Sequence, residues 1–165
     1  MLDAPEHGAR PLRAPCARLQ ALHYSAGMTT PSDDQEVDNS PTAYELLGGD
    51  APVRALVDRF YDLMDLEPAY VDLRHVHSPS LADARDKLYW FLSGWLGGPS
   101  LYIERFGHPR LRARHLPFSI GIKERDQWLA CMMQAMNELE VEPNLAARLH
   151  QAFFQTADWM RNKGV

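Results

Sequence analysis

The stretch Gly107-His108-Pro109-Arg110-Leu111-Arg112-Ala113-Arg114-His115-Leu116-Pro117-Phe118, with Arg125-Asp126-Gln127-Trp128 downstream, decides how this 165-residue chain is read. The segment is too basic and too short for an ordinary core helix. Pro117 biases Leu116 away from helical dihedrals, so a helix carrying His115 is predicted to end there. A histidine in a last helical turn finds a backbone carbonyl to accept its Nδ1–H. That bond fixes the tautomer and leaves Nε2 free to bind a metal. Taken alone, the same residues also suit a surface histidine in a basic turn.

Working outward, the pattern is helical from Pro41 onward. Thr42 can cap a first short helix, with Glu45 three residues on completing a capping box. Gly48-Gly49 ends it, and Asp50 is expected to cap the next, with Pro52 in its first turn. Val53, Leu56, Val57, Phe60, Tyr61 and Met64 recur at three- and four-residue steps, the mark of one buried face. Glu67 to Ser80 is broken by Pro68 and Pro79 and carries His75 and His77. Ser80 or Leu81 opens a further helix, with Leu81, Ala84, Leu88, Phe91, Leu92 and Trp95 on one side, stopped at Gly97-Gly98-Pro99. Two long helices close the chain, over about 124–139 and 143–162. Trp128, Cys131, Met132, Ala135 and Leu139 form the inner face of the first; Leu145, Leu149, Phe153, Ala157 and Met160 form that of the second. No alternating strand pattern occurs, so the fold class is all-α.

Residues 1–41 read as a disordered extension preceding a domain over 42–165. Five of the twelve prolines fall there, and Ser32 to Ser40 is acidic and nearly without apolar side chains, too polar to bury a core. Leu19 to Tyr24 could form a helical turn but lacks the long apolar run of a secretory signal. Ala9 to Ala26 faintly resembles a transit peptide; Met28 as the natural start is the favoured reading. The net charge of −5 argues against a nucleic-acid partner, and the arginines at 110, 112 and 114 suit a small anion better than a polyanion. Two cysteines, Cys16 and a buried Cys131, suggest no disulfide framework and fit a reducing cytoplasm. No apolar run is long enough to cross a bilayer.

In order and spacing, several pieces resemble the group II truncated haemoglobins, the short two-over-two globins. They are GHPRLRARHLPF with Arg125-Asp126-Gln127-Trp128-Leu129, Tyr44-Glu45-Leu46-Leu47-Gly48-Gly49, Arg59-Phe60-Tyr61, and Trp95-Leu96-Gly97-Gly98-Pro99 before Tyr102. The resemblance runs from Thr42 to Lys163. It implies a two-over-two helical sandwich around haem b, with His115 as the proximal iron ligand. On the distal side it implies Tyr61 and Trp128 as hydrogen-bond donors to a bound gas, with His77 in the loop after the second helix as a further contact or an iron ligand when the site is empty. Ala84 and Leu88 would line the distal wall, and Phe91 and Leu92 would pack on the porphyrin. Arg112, Arg114, Lys87 and Tyr102 are the candidate partners of the haem propionates.

The function so implied is reversible binding of dioxygen, nitric oxide and carbon monoxide with slow release. Nitric oxide dioxygenation, peroxide turnover or sensing would follow, served by a reductase partner in a monomer or homodimer. The residues themselves leave other readings open. Tyr61 could bond a backbone carbonyl in the core, and Trp128 could merely pack. His75, His77, His108 and His115 could hold a non-haem metal, although no carboxylate or cysteine pattern completes a site. Trp95 and Trp159 could anchor a cofactor-free interaction module.

Overall fold

The structure is a computed structural model that describes residues 39–164. The predicted extension, with Cys16 and the Leu19–Tyr24 turn, lies outside them except for its last three residues. Among the described residues there are helices and no strands.

Local chemistry sets the first elements. Helix α1 (Ala43–Leu47) opens on the capping box: the Glu45 N–H donates to Thr42 Oγ1 at 3.2 Å and the Thr42 N–H to Glu45 Oε2 at 2.8 Å. It closes at Gly48, whose φ of +102° suits a residue without a side chain. Helix α2 (Asp50–Leu66) is capped by Gly49, not by Asp50 as expected. Gly49 has φ +88° and ψ −148°, so the chain turns on the glycine and Asp50 becomes the first helical residue. Its carboxylate accepts from the Tyr89 hydroxyl across the fold.

A 3-10 turn (Pro68–Tyr70) leads into α3 (Val71–His75), followed by α4 (Ala82–Trp95), α5 (Leu101–Phe106), α6 (Leu111–His115), α7 (Ile122–Glu138) and α8 (Pro143–Met160). Helices α3 and α5 were not expected. Each spans barely more than one turn, too short to be stable or periodic alone, and each rests on a longer neighbour, α3 on α7 and α5 on α4.

The long helices form two pairs, α2 with α4 and α7 with α8, joined where α2 packs on α7; α6 leans on α8. Val53, Val57, Phe60 and Met64 of α2 are buried against Cys131, Met132 and Ala135 of α7. Burying each such large side chain is worth roughly 1.5–3 kcal/mol. The Cys131 thiol donates to the Phe60 carbonyl at 3.3 Å, and burial pushes its pKa up to about 12. Leu139 departs from its expected inner position: it caps α7 at 41% exposure, ahead of the turn at Glu140 with φ +54°. At the far end, a side chain on Gly98 would lie 2.5 Å from the Tyr44 ring, so glycine there lets α1 close over the end of α4. No helix among the described residues is long and apolar enough to cross a membrane.

Surface pairs frame this core, and their sign sets its acid limit. Asp72 (beside Lys123), Glu138 (beside Arg59), Glu142 (accepting from the Asn144 and Leu145 N–H groups) and Asp158 (beside Arg125) are all held below the usual carboxylate range. A lowered folded-state pKa contributes stability above the unfolded value and loses it as pH falls through the folded one. Urea midpoints are therefore expected to fall as these carboxylates are protonated below about pH 4. A midpoint unchanged between pH 6 and pH 3 would contradict these assignments.

Candidate functional site

Helix α6 is short because its sequence permits little more. Arg110 begins it in the left-handed region, with φ +44°, and it ends at Leu116. Leu116 itself keeps helical dihedrals, φ −56° and ψ −35°, despite preceding Pro117. The helix stops because Pro117 brings no N–H, and the Phe118 N–H turns back to the His115 carbonyl at 3.1 Å.

His115 sits in the last turn, half-buried, with Nδ1 2.7 Å from the Leu111 carbonyl oxygen. A carbonyl can only accept, so Nδ1 carries the proton and Nε2 presents a lone pair. His77, after α3, is anchored in the same way, with Nδ1 2.9 Å from the Leu73 carbonyl. Burial lowers its pKa, and the charges of Arg74 and His115 lower it further. In its neutral form His77 also offers Nε2 as an acceptor, not as the donor that a bound gas would need.

Two carboxamide side chains place these two histidines from a distance. The Gln127 side chain accepts from the Leu73 N–H at 2.8 Å and donates to Asp72 at 2.9 Å, fastening α3 to α7. Asn162, just beyond α8, donates Nδ2–H to the His115 and Phe118 carbonyls at 3.1 and 2.7 Å. Its Oδ1 accepts from the Ile120 N–H at 3.1 Å. One carboxamide thus holds the whole turn that follows His115.

Tyr61 is 4% exposed on α2, with its ring edge-on to His77 at 6.0 Å and to Phe60 at 5.1 Å. Its hydroxyl makes no hydrogen bond among the described residues. Burial raises its pKa well above that of an ordinary phenol, and the positive charge of Arg85 pulls the other way. The Arg85 guanidinium lies 5.7 Å from the Tyr61 ring centroid. It donates to the Asp58 carbonyl at 2.9 Å, to the Asp58 carboxylate at 3.1 Å and to Asp62 at 2.7 Å. Arg85 therefore bolts α4 to α2 behind the tyrosine. Trp128 lies 5.3 Å from Phe60 and 5.4 Å from Phe153, and Phe153 stacks on Trp95 at 4.8 Å. The indole N–H of Trp128 likewise finds no acceptor among the described residues.

Two donors without partners and an imidazole lone pair are the polar inventory of this region. Its apolar side is Ala84, Leu88 and Phe91 of α4, only half-buried although Leu92 beside them is fully buried. Neither donor is sealed among other side chains, so an acceptor beside them could complete both hydrogen bonds. A flat apolar group with a metal centre and a gas ligand would satisfy both the donors and the half-covered wall. The residues present fit haem.

The candidate propionate partners are more scattered. Tyr102 is buried, 6.4 Å from Phe91, with Arg114 over its ring at 5.8 Å and its hydroxyl unbonded among the described residues. Lys87 pairs with Asp83 at 2.6 Å. Arg112 turns away, donating to the Trp159 carbonyl at the end of α8 and lying 5.5 Å from the Trp159 ring centroid. Among the histidines of the non-haem reading, His108 accepts from the Arg110 N–H at 3.1 Å. No three histidine, cysteine or carboxylate side chains converge on a metal position among the described residues.

Arg85, Gln127 and Asn162 were not singled out from the sequence. Gln127 lies inside a quoted motif, but each acts on residues 23 to 55 positions away. No local pattern announces such ties.

Residues 42–162 match the family model described as bacterial-like globin. The group 2 truncated hemoglobin YjbI of Bacillus subtilis (strain 168) is 38% identical over 125 residues, covering 76% of this chain and 90% of that protein. The group II 2-on-2 hemoglobin of the plant pathogen Agrobacterium tumefaciens is 42% identical, covering 78% of this chain and 99% of its own, with a TM-score of 0.73. The cold-adapted truncated hemoglobin of the Antarctic marine bacterium Pseudoalteromonas haloplanktis TAC125 is 42% identical over 75% of this chain and all of its own, with a TM-score of 0.72. The helical pairs, the anchored imidazole and these matches agree, and the chain belongs to the bacterial-like globin family as a group II truncated haemoglobin.

Proposed function

We propose that this globin holds haem b through Nε2 of His115 and retains a diatomic gas for reaction in place instead of carrying it. Haem-based gas binding comes with the family; the retention and the residue roles are the proposal. The observation that carries it is the pair of partnerless donors, the Tyr61 hydroxyl and the Trp128 indole N–H, in a region with an imidazole lone pair.

Haem, were it bound, would supply an iron centre able to take a diatomic gas. The protein's part is then positional. The Leu111 carbonyl keeps the His115 proton on Nδ1 and Nε2 available; Asn162 steadies the turn behind it. Tyr61 and Trp128 would donate to the gas, and Ala84 on α4 offers neither bulk nor a competing hydrogen bond. Two neutral hydrogen bonds of roughly 1–1.5 kcal/mol each, stronger where water is excluded, slow gas escape by about ten- to a hundredfold. Tyr102 and Arg114, stacked together, and Lys87 are the groups for the propionates; Arg112 serves the end of α8 in this structure.

Slow escape suits nitric oxide dioxygenation, peroxide turnover or sensing more than transport. A dioxygenase or peroxidase cycle also requires an electron donor, a reductase partner in a reducing cytoplasm. Hemin added to the full chain is expected to give a stoichiometric complex with an intense Soret band and reversible shifts under dioxygen and carbon monoxide. A colourless protein after gel filtration would end this reading. Reductant-coupled turnover with nitric oxide and with peroxide then identifies the reaction.

A further inference from the structure

Ion pairing on this protein is uneven. Arg54, Arg59, Arg74, Arg85, Arg125 and Arg161 each meet a carboxylate within 4 Å. Arg105, Arg110, Arg112 and Arg114 meet none among the described residues, and Arg148 on α8 is the other without one. Between positions 100 and 120 the only carboxylate is Glu104. In a chain of net charge −5, four of the five arginines without a carboxylate among the described residues thus lie on α5, α6 and the loop between them.

A chain of ring contacts runs beside these cations from α4 to α5. Arg105 lies 4.7 Å from the Trp90 ring centroid, Trp90 meets Phe106 at 5.7 Å, Phe106 meets Tyr102 at 5.0 Å, and Arg114 covers Tyr102 at 5.8 Å. Ile103 and Phe106 stand out at 53% and 43% exposure. Arginine and aromatic side chains are the types enriched where proteins dock. Unpaired cations around them favour a partner of opposite charge and speed its approach.

We propose that the α5–α6 face docks an acidic electron-donor protein, with carboxylates of the donor meeting Arg105 and Arg110 around Phe106 and Ile103. The proposal rests on the haem reading above, because α6 also carries His115. One electron leaves the donor's reduced flavin or iron–sulfur centre and converts ferric haem iron to ferrous; no atom is exchanged. Arg105 and Arg110 are the informative positions, since neither has been given a role at the haem.

The test uses the haem-loaded full chain and two redox-silent probes, an oxidised acidic flavodoxin and an oxidised acidic [2Fe–2S] ferredoxin, by titration calorimetry at low and high salt. At least one probe is expected to bind, more weakly as salt rises, and the doubly reversed variant Arg105→Glu/Arg110→Glu to bind it about tenfold or more weakly. The single variant Arg148→Glu, on the exposed side of α8, is expected to bind like the wild type. Soret absorbance and helical circular dichroism of every variant are recorded first. Failure of the wild type to take up haem therefore counts against the site, and a failure of docking with haem in place counts against the face.

Equal affinity in the reversed variant, an equal loss in Arg148→Glu, or no binding of either probe would overturn the proposal. So would a dimer of this chain that sedimentation shows the reversal to abolish, or binding of anionic vesicles that it removes while leaving the probes unaffected.

Discussion

Replacing His115 by alanine is expected to leave a folded helical chain that loses haem on gel filtration. The side chain is only half-buried, lies on a five-residue helix and contributes nothing to the packed interface of α2 with α7. Removing it costs the Leu111 bond, a contribution of about 1 kcal/mol, so circular dichroism and the urea midpoint should change little. What disappears is the one lone pair held toward the pocket from the α6 side. Added imidazole, which restores a nitrogen donor without a tether, is expected to recover part of the Soret intensity. Full haem retention with an unaltered spectrum would remove His115 from the ligand position.

The second large effect concerns escape of the gas. Tyr61→Phe removes a hydroxyl and almost no volume, so packing against Phe60 and His77 persists while the donor is lost. Dioxygen dissociation, followed by stopped flow, is expected to quicken by about tenfold, and Trp128→Phe by less, because Trp128 is more open to solvent than Tyr61. In the double variant the increase should approach a hundredfold. The two donors serve one acceptor, so a departure from simple multiplication would measure their coupling. A dissociation rate unmoved by Tyr61→Phe would take that residue out of the gas's hydrogen-bond set.

What could be read in the sequence follows the reach of each interaction. The Thr42 capping box and the His115 bond to Leu111 close over three or four residues, and both are present. The buried stripe of α2 was legible because a 3.6-residue repeat repeats enough times to be recognised. The start of α2 was misplaced by one residue because two glycines together let the backbone choose where to turn. Helices α3 and α5 were missed because their neighbours, not their sequence, keep them helical. At the site, the tautomer of His77 came from a carbonyl distance that no composition reveals. Nor did the chain's text suggest that Arg112 would spend its guanidinium on the end of α8.

Asn162 has a consequence for anyone who trims or tags this protein. All eight α-helices among the described residues are complete by Met160. A version cut there would pass every test of secondary structure yet leave the backbone around residues 115–120 unbraced. Partners that merely orient a metal-binding imidazole commonly alter affinity by about ten- to a hundredfold when lost. The tail, which looks dispensable on a topology diagram, is the strut behind His115 and the turn that follows it.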